Sequence, residues 1–204
     1  TMDVAYALLS VGSIALVANA AYGLLHITNR TTVPSGVSHN PLPVVTMENS
    51  LTLTSSAFKE GESIPTKYTC DDQQFLSIPL AIAHVPAGTK SLALVMSDPD
   101  VPKALVPEGV FYHWVLYNIP PTTTEIPEGG TVGNLGGNSR DDLSYTGPCP
   151  PPEYEPSTHR YIFTLYALSG TMEFFKAPTA SNVIGTAKGM TIASTTLTGT
   201  YRRK

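Results

Sequence analysis

Residues 91–102 run SLALVMSDPDVP. Ser91–Ser97 is a continuous apolar stretch of strand length, and it stops at Asp98-Pro99. A short apolar run bounded by turn residues fits a buried strand. Three further stretches have the same character. Tyr112–Ile119 (YHWVLYNI) is aromatic and β-branched and ends at Pro120-Pro121. Tyr161–Leu168 (YIFTLYAL) is similar, and Ile192–Tyr201 (IASTTLTGTY) alternates and is rich in threonine. The one helix candidate is Thr179–Lys188, with Val183, Ile184 and Ala187 on one face and Gly189 as a stop. Residues 51–204 therefore read as one mainly β domain, mostly antiparallel, with a late helix.

The composition narrows the function. Across 204 residues, Lys plus Arg is 12 and Asp plus Glu is 16, a net charge of −4. That balance argues against nucleic acid, whose phosphates need a basic face. Two cysteines are too few for a disulfide framework or a four-cysteine zinc site.

Charge is scarce at the start of the chain, where residues 1–47 carry only Asp3 and Arg30. Val4–Ile27 contains no Asp, Glu, Lys or Arg. A helix of that length, at about 1.5 Å per residue, spans a hydrocarbon core of about 30 Å. Residues 1–30 thus read as a single transmembrane helix, with Tyr6 and Tyr22 near its ends. The segment lacks a basic leader and a sharp cleavage site, so a retained anchor is expected rather than a signal peptide. A buried soluble helix is the alternative, because Asn19 and His26 are costly in lipid without partners. Gly12, Ala15, Asn19 and Gly23 fall on one helical face, where small residues admit a partner transmembrane helix. Neither the membrane nor the orientation follows from so few charges. Asn29-Arg30-Thr31 matches a glycosylation sequon. Residues 31–50, with Pro34, Gly36, Pro41 and Pro43, read as a semi-rigid linker.

The polar residues of the β domain cluster at strand ends. Asp98-Pro99-Asp100 with Pro102 follows one strand, and His113 stands beside Trp114 at the start of another. His159-Arg160-Tyr161 opens a third, preceded by the loop Gly147-Pro148-Cys149-Pro150-Pro151-Pro152. Rigid strand ends are a common way to present side chains at the rim of a sheet. Two aspartates, two histidines and a tyrosine could converge there.

In this order, "SLALVMSDPDVP", "HWVLYNIP", "GPCPP", "HRYIFTLYAL" and "LTGTY" resemble the phosphatidylethanolamine-binding protein family, which includes the Raf kinase inhibitor protein. The bacterial-type branch is the nearer, and the resemblance runs from about Ser56 to Arg202. It implies a central antiparallel sheet, a second smaller sheet, and an anion pocket at one end that takes phosphate-like groups, including phospholipid head groups. It carries Asp98, Asp100, His113, His159 and Tyr161 into that pocket, with Pro102 and the Gly147–Pro151 loop, including Cys149, as its wall. The sequence departs from the family pattern after Cys70, where Asp71-Asp72-Gln73-Gln74 replaces the usual Asp-Gly. It also carries extra residues (Glu153–Thr158) before His159. Cys70 and Cys149 both fall in family-like segments near the pocket. They are either bridged or two free buried thiols.

Imidazole and phenol groups donate hydrogen bonds to phosphate oxygens, and an aspartate can fix a histidine tautomer or raise its pKa. The competing reading is that these groups satisfy one another and brace the sheet rim. A metal triad has no supporting His-x-x-x-His spacing, and a Cys149–His159 hydrolase pair has little to recommend it. No metal, cofactor or catalysis is expected. Arg160 is expected to point away from the pocket, since neighbours on a strand alternate faces. The terminal Arg202-Arg203-Lys204 reads as a solvated tail. The expected function is a membrane-anchored domain with a phosphate or head-group pocket, working as an accessory subunit of a membrane complex. The alternatives are a kinase or protease inhibitor and a scaffold without a working pocket.

Overall fold

The computed structural model describes residues 50–72, 74 and 76–203. The expected membrane helix, its Gly12–Gly23 face, the sequon and the linker as far as residue 49 lie outside the described residues. Among the described residues no helix is long and apolar enough to cross a membrane.

The strands in chain order are β1 (Thr52–Thr54), β2 (Leu80–Ala83), β3 (Ser91–Asp98), β4 (Phe111–Ile119), β5 (Glu125–Ile126), β6 (Asn134–Leu135), β7 (His159–Leu168) and β8 (Thr191–Tyr201), with helix α1 (Ala180–Lys188) before β8. They form a three-stranded sheet, β1-β2-β5, and a five-stranded sheet, β6-β4-β3-β7-β8. All neighbouring pairs are antiparallel. The four long strands and the helix match the sequence expectation. The short strands β1, β2, β5 and β6 and a 3-10 turn at Thr66–Tyr68 carried no comparable signal.

The continuous apolar character of β3 has a direct cause. Leu92, Leu94 and Met96 join a core shared with Leu53, Leu80 and Ile82 of the small sheet. Ala93 and Val95 face the other way, into a second core with Val183 and Ala187 of α1. Successive strand residues alternate faces, and both faces of the large sheet are covered. Full burial of a side chain such as Phe163 contributes about 2 kcal/mol.

Helix α1 begins one residue later than expected, because Thr179 is its cap. The Thr179 hydroxyl accepts from the Asn182 backbone N–H, and the Asn182 side-chain oxygen accepts from the Thr179 N–H. Gly189 closes the helix, as expected.

One irregularity positions the site. Along β3–β4, Met96 pairs with Trp114 but Ser97 pairs with Tyr112, so His113 is an extra residue in β4. A bulge of this kind interrupts alternation and re-aims a side chain. His113 is buried, and its ring lies edge-on to Tyr161 of β7 at 5.2 Å.

Candidate functional site

At one end of the large sheet a cavity of about 300 Å³ opens beside the ends of β3, β4 and β7. Asp98, His113 and His159 supply its polar lining. Val101, Pro102, Leu105, Val106 and Phe111 form an apolar wall, and Gly147, Cys149 and Pro150–Pro152 form another. Arg140, Arg203 and Glu153 also line it.

Asp98 is the last residue of β3 and is 2% exposed. A buried carboxylate needs partners. His159 Nδ1 donates to Asp98 Oδ2 at 2.7 Å, and the Asp100 backbone N–H donates to Asp98 Oδ1 at 2.9 Å. Burial pushes the Asp98 carboxyl above its ordinary pKa, against the opposing hydrogen bond from His159. His113 Nε2 lies 3.9 Å from the same Oδ2, outside hydrogen-bond range.

The second histidine is held differently. His113 Nδ1 lies 2.8 Å from the Thr146 carbonyl oxygen. A carbonyl only accepts, so Nδ1 carries the proton and Nε2 carries a lone pair when the ring is neutral. Burial, reinforced by the Arg140 and His159 charges, lowers the His113 pKa to about 4, so the ring is neutral near pH 7.

Among the described residues, three buried side-chain atoms have no hydrogen-bond partner: His113 Nε2, His159 Nε2 and the Tyr161 hydroxyl. Buried polar atoms without partners are uncommon in folded proteins. Tyr161 is fully buried and does not itself line the cavity. Burial and the nearby Asp98 charge raise its pKa, so it stays protonated and able to donate.

Asp100 departs from its expected place. Its carboxylate accepts from Arg160 at Nη2 (2.7 Å), Nε (2.9 Å) and the backbone N–H (2.9 Å), and it does not line the cavity. Arg160 points outward, as alternation requires, and draws Asp100 with it. Asp100 reaches the site only through its N–H on Asp98.

The cavity wall is braced from behind. Cys70 and Cys149 form a disulfide, which removes the free-thiol alternative and leaves Cys149 no nucleophile. The Cys70 N–H also donates to the Pro148 carbonyl at 3.1 Å. Gly147 allows this approach, because a Cβ there would lie 2.7 Å from the Tyr68 carbonyl oxygen.

Two guanidinium groups were not among the expected site residues. Arg140 is exposed and lines the cavity. Arg203 is no free tail residue: its Nε donates to Asp71 Oδ1 at 3.1 Å, while the Tyr201 hydroxyl donates to Asp71 Oδ2 at 2.6 Å. Asp71, part of the segment that departs from the family pattern, therefore fixes one of the cavity's cations. Among the described residues no group of three or more His, Cys, Asp or Glu could hold a metal ion.

Residues 54–202 match the family described as phosphatidylethanolamine-binding protein. A UPF0098 protein of Chlamydia trachomatis is 36% identical over 152 residues, covering 74% of this chain and 98% of its own length. A UPF0098 protein of Methanothermobacter thermautotrophicus is 37% identical over 160 residues, covering 75% and 99%. Among solved structures, a phosphatidylethanolamine-binding protein homologue from Chlamydia trachomatis superposes with a TM-score of 0.71 at 36% identity, covering 76% of this chain and 99% of its own. Escherichia coli YbcL, described as a member of the mammalian PEBP family, gives a TM-score of 0.67 at 27% identity, covering 76% and 99%. With its two antiparallel sheets, late helix and matched residues, the chain belongs to the phosphatidylethanolamine-binding protein family.

Proposed function

We propose that the domain is a non-catalytic binding module whose cavity takes a phosphate-like anion, free or as a phospholipid head group. The observation that carries this reading is the pair of unpartnered buried nitrogens, His113 Nε2 and His159 Nε2, on rings that line the cavity together with Asp98. Arg140 and Arg203 line the same cavity and supply positive charge toward an incoming anion. Asp98 supports binding indirectly, by holding the His159 ring in place through Nδ1. The apolar wall of Val101, Pro102, Leu105 and Phe111 suits an anion that carries an apolar substituent.

Calorimetric titration of the full chain with phosphoethanolamine tests the proposal. Saturable binding, weakened roughly tenfold to a hundredfold in His159→Ala, is expected from the loss of one hydrogen bond to a charged group. Absence of binding, or equal binding by the variant, overturns it.

The apolar segment Val4–Ile27 supports a further part of the reading, that the module is tethered to a membrane as an accessory subunit of a larger assembly. The disulfide suits an oxidising compartment. Mild detergent extraction should yield co-migrating chains, and a free monomer would remove the assembly from the account.

A further inference from the structure

We infer that His113 makes the cavity selective for phosphate groups that carry their own P–O–H, that is, for phosphomonoester monoanions over phosphodiesters. The inference rests on the anion-pocket reading and deepens it. The Thr146 carbonyl, 2.8 Å from His113 Nδ1, fixes the ring proton on Nδ1. The unpartnered Nε2 then presents a lone pair, which repels an anionic oxygen and accepts from a hydroxyl. His159 differs because its Nδ1 faces the Asp98 carboxylate at 2.7 Å. His113 Nε2 lies 3.9 Å from an Asp98 oxygen already engaged by His159 and has no hydrogen-bond partner there.

The lining thus offers opposite partners to one ligand: the Arg140 and Arg203 guanidiniums donate to phosphate oxygens, while His113 Nε2 accepts. A monoester monoanion supplies both kinds of group. A diester has no P–O–H and leaves His113 Nε2 unsatisfied. A dianion has lost the proton that His113 requires, and the second ionisation of a phosphomonoester has a pKa of about 6. The charged and titratable groups around His113 are Asp98 of β3, His159 and Tyr161 of β7, and Arg140, Glu153 and Arg203 of the cavity-lining segments. Burial opposes further protonation of the ring, and among these groups Arg140 and His159 add to it.

The test compares methyl phosphate with dimethyl phosphate by calorimetry on the full chain at pH 5.5 and pH 8. Methyl phosphate should bind about tenfold tighter or more at pH 5.5, and this advantage should shrink at pH 8. Equal affinities at pH 5.5, or tighter binding of methyl phosphate at pH 8 than at pH 5.5, overturn the inference while leaving an anion pocket in place. Binding of neither compound overturns both. Short-chain phosphatidic acid and short-chain phosphatidylcholine form the lipid arm. Tighter binding of phosphatidic acid than of methyl phosphate identifies a lipid source, equal binding identifies a free phosphate, and either agrees with monoester recognition. Preference for phosphatidylcholine contradicts it. In His113→Phe the discrimination between the two methyl esters should fall toward unity. If that variant does not fold, the imidazole nitrogen spectrum of the native chain decides: a His113 ring protonated on Nε2 rather than Nδ1 overturns the inference.

Discussion

His159 Nδ1 donates to Asp98 Oδ2 at 2.7 Å, joining residues 61 positions apart in a fully buried pair. The first residue of β7 thereby meets the last residue of β3, two strands that are paired along their length. Asp98→Asn keeps the side-chain shape and an acceptor for the Asp100 N–H but removes the charge. It should lower unfolding stability by about 2 kcal/mol. Urea unfolding at pH 7 measures this, and an unchanged midpoint would show that the pair carries little.

The pH dependence of stability should contain a contribution from His113. Its folded pKa is lowered to about 4, below the ordinary 6.5. Between those values the unfolded chain binds more protons, so stability falls as pH drops from about 6.5 to about 4. The full loss is about 3 kcal/mol. Asp98 has the opposite sign, because its raised pKa makes the folded state the better proton acceptor above the ordinary aspartate value. Unfolding curves for the native chain and His113→Phe across this window should diverge in slope, and parallel curves would contradict the buried neutral ring.

The Cys70–Cys149 disulfide spans 79 positions and fixes the wall of the cavity. Cross-links that close long loops stabilise mainly by restricting the unfolded chain. The double variant Cys70→Ser, Cys149→Ser should lose about 2–4 kcal/mol in thermal or urea unfolding. Its phosphate affinity should fall as well, since Cys149 and its proline neighbours line the cavity.

Arg160→Ala provides the contrasting case. The side chain is exposed and holds Asp100 on the outer side of the sheet rim. The loss in stability should stay below about 1 kcal/mol. Phosphate affinity should be unchanged in calorimetry, because neither Arg160 nor Asp100 lines the cavity.

What the sequence made legible follows from where local pattern controls structure. Strands β3, β4, β7 and β8 are long, apolar or alternating, and bounded by Pro, Gly or Asp, so their places could be read within a residue or two. The two- to four-residue strands β1, β2, β5 and β6 are too short for periodicity to register. Asp98, His113 and His159 were legible as polar residues at strand ends. The extra residue at His113, which aims its ring, depends on pairing with β3 and leaves no local mark. Arg140 and Arg203 reach the cavity from a loop and from the end of β8, so only tertiary structure brings them there. Asp100 was carried toward the pocket by the family resemblance alone, whereas its pairing with the outward-pointing Arg160 keeps it out of the cavity lining.

The central claim is that the unpartnered imidazole nitrogens of His113 and His159 receive a phosphate group. Long-range nitrogen spectra of the full chain, recorded during titration with methyl phosphate at pH 5.5, measure this directly. The Nε2 signals of both rings should shift together and saturate, while exposed His84 stays in place. Shifts confined to His84, or none at either buried ring, would contradict the account.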